Sequence, residues 1–248
     1  MPTAEPVFHS GQNELEELPN YQPLSAAAVV GIVLALVSLT ALLHPVLWLL
    51  PVLAVAVNLY AIYSINQEGR RSGRRLAVAG LAIALLVGAA APARVYSYEY
   101  MQRRHARQIA DRWFEALRNG QPQQAHQLVR SPDIRMHGEK EIWNLYHKSQ
   151  TQRTALEEYV ASPVVRTLLE LGSDAQVRYY ENEMAQTDGR IDVVKDVYAV
   201  TYDDEGTKKT FLIQIEALRN LKPETGPVDW VISNVDGGYR PKNWPEQR

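Results

Sequence analysis

The chain is predicted to be an α+β protein in two parts, three transmembrane helices followed by a domain of helices and an antiparallel sheet. Three observations predict this. Residues 24–43 and 46–65 each run twenty residues without a charge, and residues 76–93 run eighteen; these lengths bracket what a helix needs to cross ~30 Å of hydrocarbon. From residue 102 apolar residues recur at helical spacing. From residue 175 the period changes to two, and helices first with strands afterwards make an α+β domain.

A buried helix in a soluble core is the competing explanation for a long apolar run. Core helices are amphipathic and interrupted by polar residues, whereas these three segments are apolar all round. The charges divide accordingly. Of 26 Lys+Arg and 28 Asp+Glu, residues 1–93 hold Arg70, Arg71, Arg74 and Arg75 against Glu5, Glu14, Glu16, Glu17 and Glu68, which leaves 22 basic and 23 acidic groups for the remainder. That near-neutral remainder argues against a nucleic-acid partner, which needs a concentrated basic surface. The absence of cysteine excludes disulfides, thiolate metal sites and a cysteine nucleophile, but assigns no compartment.

Taken in order, residues 1–23 have no basic residue, four glutamates and prolines at Pro2, Pro6, Pro19 and Pro23. Such a segment cannot bury enough apolar surface to order itself, so a disordered acidic tail is expected; a secretory signal would begin with positive charge. Residues 24–93 form the membrane module. His44 and Pro45 alone join its first two segments, which predicts a tight antiparallel hairpin with His44 as a turn residue. Residues 66–75 hold four arginines, and short basic loops stay in the cytoplasm. Arg94, Arg103, Arg104 and Arg107 belong to a long domain, which crosses largely regardless of charge. The expected topology therefore puts the N-terminus inside and the domain of residues 94–248 outside.

Small residues recur four apart at Ala27, Gly31 and Ala35 and again at Gly80, Ala84 and Gly88. In lipid, close backbone approach along such stripes lets helices associate, and Asn58 is a candidate interhelical hydrogen bond. No Asp, Glu, Lys or Arg lies within a span, so the module reads as an anchor rather than an ion pathway. Trp48, Tyr60, Tyr63, Tyr96, Tyr98 and Tyr100 sit where interfacial aromatic belts belong. The last three could alternatively form a short strand.

In the second part, Ile109, Trp113 and Leu117 mark an amphipathic helix that Asn119-Gly120 ends. Helices follow at 124–129, 139–148, 154–161 and 164–171. Strands follow at 175–181, 191–202, 209–218 and 230–235, with Phe211, Ile213, Ile215 and Ala217 on one face. Asp203-Asp204-Glu205-Gly206 turns the second strand into the third.

Two resemblances rest on these residues. Residues 106–120 (ARQIADRWFEALRNG), the helix-then-strand order and residues 230–238 (WVISNVDGG) resemble the nuclear-transport-factor-2-like, or cystatin-like cone, superfamily over roughly residues 102–244. The resemblance implies helices packed on a curved antiparallel sheet with a pocket between sheet and first helix; members include isomerases, cyclases, dehydratases, epoxide hydrolases and many non-catalytic binding or assembly domains. Residues 21–25 (YQPLS) and 70–80 (RRSGRRLAVAG) are similar to an uncharacterised bacterial membrane family. That implies a location in the cytoplasmic membrane and no chemistry.

An enzyme of the cone type needs a carboxylate or histidine at an apolar wall. Asp192, Asp196 and Tyr198 share one strand face because they lie an even number of residues apart. The simpler expectation is that this face is solvated and that Ile191, Val193, Val197 and Ala199 form the core, interrupted by Lys195 alone. His126, His137 and His147 lack metal-ligand spacing, and Gly69 and Gly73 flank no phosphate cradle. Trp113 and Phe114 read as core, and Tyr179 and Tyr180 point to opposite faces. The expectation is a multi-pass protein, without cofactor or metal, that displays a non-catalytic domain for a protein partner or small ligand, with a homo-oligomer open. The alternative is a tethered enzyme acting on a small apolar molecule through Asp192 or Asp196.

Overall fold

The computed structural model describes residues 23–68, 72–224 and 227–239. The acidic tail up to residue 22 and two of the loop arginines, Arg70 and Arg71, lie outside the described residues. The chain divides into two compact units, Met1–Tyr96 and Ser97–Arg248.

In the first unit, α1 (Ala26–Val37) runs on as a 3-10 helix, Ser38–Leu42. After His44 a short 3-10 turn, Pro45–Trp48, leads into α2 (Leu49–Glu68), and α3 begins at Arg74. His44 is extended, and its Nδ1 accepts from the Val46 amide at 3.2 Å, so the residue caps the turn. Arg94 Nη1 donates to the Leu42 carbonyl at 2.7 Å, satisfying an orphan acceptor at a helix end. Pro45–Gln67 and Arg74–Arg118 are long and apolar enough to cross a membrane, and Ala26–Leu42 is a shorter apolar helix.

The buried faces of this unit correct the four-apart stripes in detail. Ala28, Gly31 and Ala35 are buried on α1, with Ala27 only partly so. On α3, Ala77, Gly80, Ala84, Val87 and Ala91 are buried, and Gly88 is exposed. The reason is helical period. Each residue turns the helix by ~100°, so a position eight residues on has drifted ~80° from the starting face while one seven residues on is only ~20° away. Asn58 is fully buried where Gly31 and Gly80 meet it, and its Nδ2 donates to Gly31 O (2.9 Å) and Ala54 O (2.8 Å).

The third apolar segment and the amphipathic segment are one helix, since α3 spans Arg74–Arg118. Tyr96, Tyr98 and Tyr100 are therefore helical, and the short-strand alternative is overturned: backbone bonding continues through them. Beyond α3 the chain leaves through Gly120 at φ 66°, whose amide returns to Leu117 O at 3.0 Å. Then come α4 (Pro122–Val129), α5 (Glu139–Lys148), α6 (Gln150–Ala161) and α7 (Pro163–Leu171). The strands β1 (Gln176–Thr187), β2 (Ile191–Asp204), β3 (Thr207–Asn220) and β4 (Trp230–Gly237) form an antiparallel sheet in the order β1-β2-β3-β4. The unit is α+β. Its core joins Trp113, Phe114 and Leu117 of α3 and Leu168 of α7 to Tyr198 and Val200 of β2, Ile213 and Ile215 of β3 and Ile232 of β4.

Candidate functional site

The turn between β2 and β3 decides what the sheet presents to the helices. Glu205 (φ 53°) and Gly206 (φ 84°) are the two central residues of a hairpin in which Asp204 pairs with Thr207. Positive φ at both positions is the two-residue geometry that matches strand twist, and glycine takes the second without cost. Asp203 Oδ1 accepts the Gly206 amide at 2.7 Å and stiffens the turn. From that turn the register places Tyr198 opposite Ile213, Asp196 opposite Ile215, Val194 opposite Ala217 and Asp192 opposite Arg219. Directly opposed residues share a face. The even-numbered residues of β2 thus look into the core with Ile213, Ile215 and Ala217.

The expected solvated face is overturned by this register: Asp192 is 0 % exposed, Asp196 3 % and Tyr198 1 %. Ile191 is exposed, and Val193, Lys195 and Ala199 are partly so on the other face, although Val197 there is covered. Polar residues can occupy an inner strand face where charge partners offset the cost of burial.

Asp192 has such partners. Gln102 Nε2 donates to Oδ1 at 2.6 Å, the Tyr98 hydroxyl lies 3.1 Å from both oxygens, and Arg219 reaches Oδ2 through Nε (3.0 Å) and Nη2 (2.5 Å). Tyr98 and Gln102 stand one turn apart on α3, and Arg219 is the cross-strand neighbour. The Arg219 guanidinium also lies over the Trp230 ring, 4.9 Å from its centroid. This carboxylate is consumed in tying α3 to the sheet.

Asp196 is less well served. Oδ1 accepts from Asn182 Nδ2 at 2.8 Å, while Oδ2 has no hydrogen-bond partner among the described residues and lies 4.0 Å from Arg107 Nε. Arg107 is itself parked on the Tyr179 ring, 3.5 Å from the centroid. The Tyr198 hydroxyl is likewise buried without a partner, its ring wedged between Phe114 (5.0 Å) and Tyr179 (6.0 Å). Burial pushes the Asp196 carboxyl above its ordinary value, against the opposing pull of the Asn182 hydrogen bond and of Arg107 and Arg103. Burial also raises the Tyr198 and Tyr179 phenols.

A measurable consequence follows from the sign of that shift. The fold favours protonated Asp196, so its contribution is full below pH 3.8 and is lost as pH rises through the folded-state value. Asp196→Asn, which mimics the protonated acid, is expected to raise the melting temperature at about pH 7 and to bring no gain near about pH 3.5. Scanning calorimetry at the two pH values checks this. A loss of stability at the higher pH would mean that Arg107 outweighs burial.

The histidines are placed apart. His126 Nδ1 is 2.8 Å from the Tyr146 hydroxyl, which accepts from Gln127 Nε2. Burial and then Arg130 push the His126 pKa down to about 4. His147 stacks on Trp143 at 3.7 Å, and His137 lines a polar cleft of about 600 Å³ between α3, α4 and α5. Among the described residues no three His, Asp or Glu side chains gather as a metal site. A second cleft, of about 370 Å³, opens beside Tyr179, Tyr198, Phe114 and Asp111. Neither cleft has Asp192 or Asp196 in its wall.

No protein-family profile matches any part of the chain, and no curated protein matches it. Comparison with solved structures returns a nuclear-transport-factor-2-like protein with a cystatin-like fold from Novosphingobium aromaticivorans, at 13% identity and a TM-score of 0.31, over 61% of this chain and 88% of that one. The α+β assignment rests on the element order and register given above. Sequence reasoning missed Gln102, Arg219, Asn182 and Arg107. The register could have found Arg219, because a two-residue turn at Glu205-Gly206 sets it opposite Asp192.

Proposed function

We propose that the chain is a multi-pass protein of a bacterial cytoplasmic membrane that displays a non-catalytic binding domain, of the cone type, on the outer side. The membrane half of this reading is supported by apolar side chains that water would not tolerate in such number: Leu43 is 80 % exposed, Val46 71 %, Leu49 70 % and Leu86 68 %. The first apolar helix is short by residue count. Its 3-10 end rises faster, however, so twelve α and five 3-10 residues reach about 28 Å, close to the hydrocarbon thickness. Three spans with residues 70–75 in the cytoplasm put Ser97–Arg248 outside. Alkaline phosphatase fused after Arg248 is then expected to be active and a fluorescent protein that folds only in the cytoplasm to be dark; the opposite pair inverts the topology.

The observation that carries the non-catalytic reading is the state of Asp192. Its oxygens are committed to Tyr98, Gln102 and Arg219, which leaves no lone pair in a useful direction for proton transfer. Trp113, Phe114 and Tyr198 pack in the core between α3 and the sheet, and the cleft of about 370 Å³ that Phe114 and Tyr198 also line has neither Asp192 nor Asp196 in its wall.

The tethered-enzyme alternative is favoured by one observation, the pair of buried oxygens at Asp196 and Tyr198 that have no partner among the described residues. NMR titration of Asp196 separates the two. A midpoint near about 6 or above would give the residue a base's poise at neutral pH and favour the enzyme.

A further inference from the structure

A third cleft, of about 300 Å³, lies within the second unit between α3, the end of α4 and the start of β4. Its wall contains four basic side chains, His105, Arg112, Arg135 and Arg219, and one carboxylate, Asp229. Two of the cations are already matched. Arg135 Nη1 donates to Asp229 Oδ2 at 2.8 Å, and Arg219 is held by Asp192. Asp229 is spent as well, because its Oδ1 accepts the Trp230 amide at 2.8 Å. Arg112 is exposed and has no acidic partner among the described residues, so the cleft keeps a net positive charge beside an apolar surface of Ile109, Leu128, Val228 and Trp230. Trp230 adds a buried indole N–H without a hydrogen-bond partner among the described residues. An unmatched cation beside an apolar wall in one small cleft describes a ligand with a charged end and an apolar body.

We propose that this cleft binds a small organic carboxylate, with its apolar body on Trp230, Ile109 and Val228 and its carboxylate on Arg112. Neither buried aspartate lines the site, although Arg219 in its wall is the partner of Asp192, and the proposal rests on the ligand-binding reading and narrows it to an anion of this class. The guanidinium supplies a planar, charge-assisted donor pair that a carboxylate matches. The apolar wall supplies what inorganic anions cannot use. A volume of about 300 Å³ admits a guest with a body of one aromatic ring.

The test uses the full chain in nanodiscs of phosphatidylcholine, which offers no net anionic surface to compete, with benzoate as probe and tryptophan fluorescence as readout. Benzoate is expected to give a saturable change with an affinity of about 1 mM, consistent with its size. Benzyl alcohol and inorganic phosphate are each expected to bind about tenfold more weakly or worse, lacking the charge and the ring respectively. Arg112→Gln, at an exposed position whose loss leaves the fold intact, is expected to weaken benzoate about tenfold, and Val228→Asp to do the same by repulsion. Equal binding of benzyl alcohol, equal binding of phosphate, unchanged benzoate affinity in Arg112→Gln, or no saturable change at all each overturns the proposal. None of these results depends on the fusion-reporter experiment or on the Asp196 titration, so failure here leaves the membrane and non-catalytic readings to their own tests.

Discussion

Arg219→Ala is expected to cost the second unit about 3–5 kcal/mol, the penalty for stripping one partner from a buried ion pair. Asp192 has no exposure at all, and among the described residues Arg219 supplies the only positive charge that touches it. Without the guanidinium, Tyr98 and Gln102 remain as neutral donors to an anion that water cannot reach. For a unit of this size the loss corresponds to a fall of roughly 6–20 °C in melting temperature. Circular dichroism of the full chain, followed at the tryptophan bands, reads it. Removing both charges, as in Asp192→Leu with Arg219→Met, is expected to recover most of the loss, since a buried pair adds little over an apolar replacement of similar volume. A fall of less than about 1 kcal/mol in the single variant would place the pair among solvent-screened ones and would undo the assignment of Asp192 as a consumed carboxylate.

Gly80→Ala is expected to destabilise the first unit by about 1–3 kcal/mol through overpacking. A methyl carbon at Gly80 would stand 2.5 Å from Asn58 Oδ1, and one at Gly31 would stand 2.4 Å from the same atom. An exposed amide would swing away at small cost. This one is boxed in between two glycines and anchored to the Gly31 and Ala54 carbonyls, so displacement breaks an interhelical hydrogen bond. The decisive measurement is a double-mutant cycle. Asn58→Ala alone loses that bond, worth about 0.6 kcal/mol or somewhat more, yet it also removes the obstacle, and Gly80→Ala in that background is expected to be nearly neutral. Melting in detergent that is additive across the two positions would show that Asn58 and Gly80 do not meet.

Much of this architecture was legible in the order of residues. Uncharged length marks the apolar segments, and the 139–148 helix and the starts of β2 and β4 fall where periodicity and turn residues place them, while β3 begins two residues earlier than expected. Trp113, Phe114, Ile213 and Ile215 are read as core from spacing alone and are core. Local sequence determines these because helix and strand periods are properties of a few consecutive residues.

What it could not settle by itself is which face of a segment meets which partner. On β2 a hydropathy rule chooses Ile191, Val193, Val197 and Ala199 as inner residues, yet the opposite face with both carboxylates meets the core, and of the four only Val197 is buried. Their burial is made tolerable by groups far away in the chain: Gln102 is ninety positions from Asp192 and Tyr98 ninety-four. On α3, four-apart spacing chooses Gly88 where Val87 is buried, because the face in use follows a period of 3.6 rather than 4. The amino-acid sequence alone therefore determined most of the elements, their order and the apolar character of the first unit, while the structure joined the third apolar segment to the amphipathic one as a single helix. Only the tertiary structure decided the inner face of β2, the consumption of Asp192 and the isolation of Asp196, because each is a balance of desolvation against partners that the fold alone brings within reach.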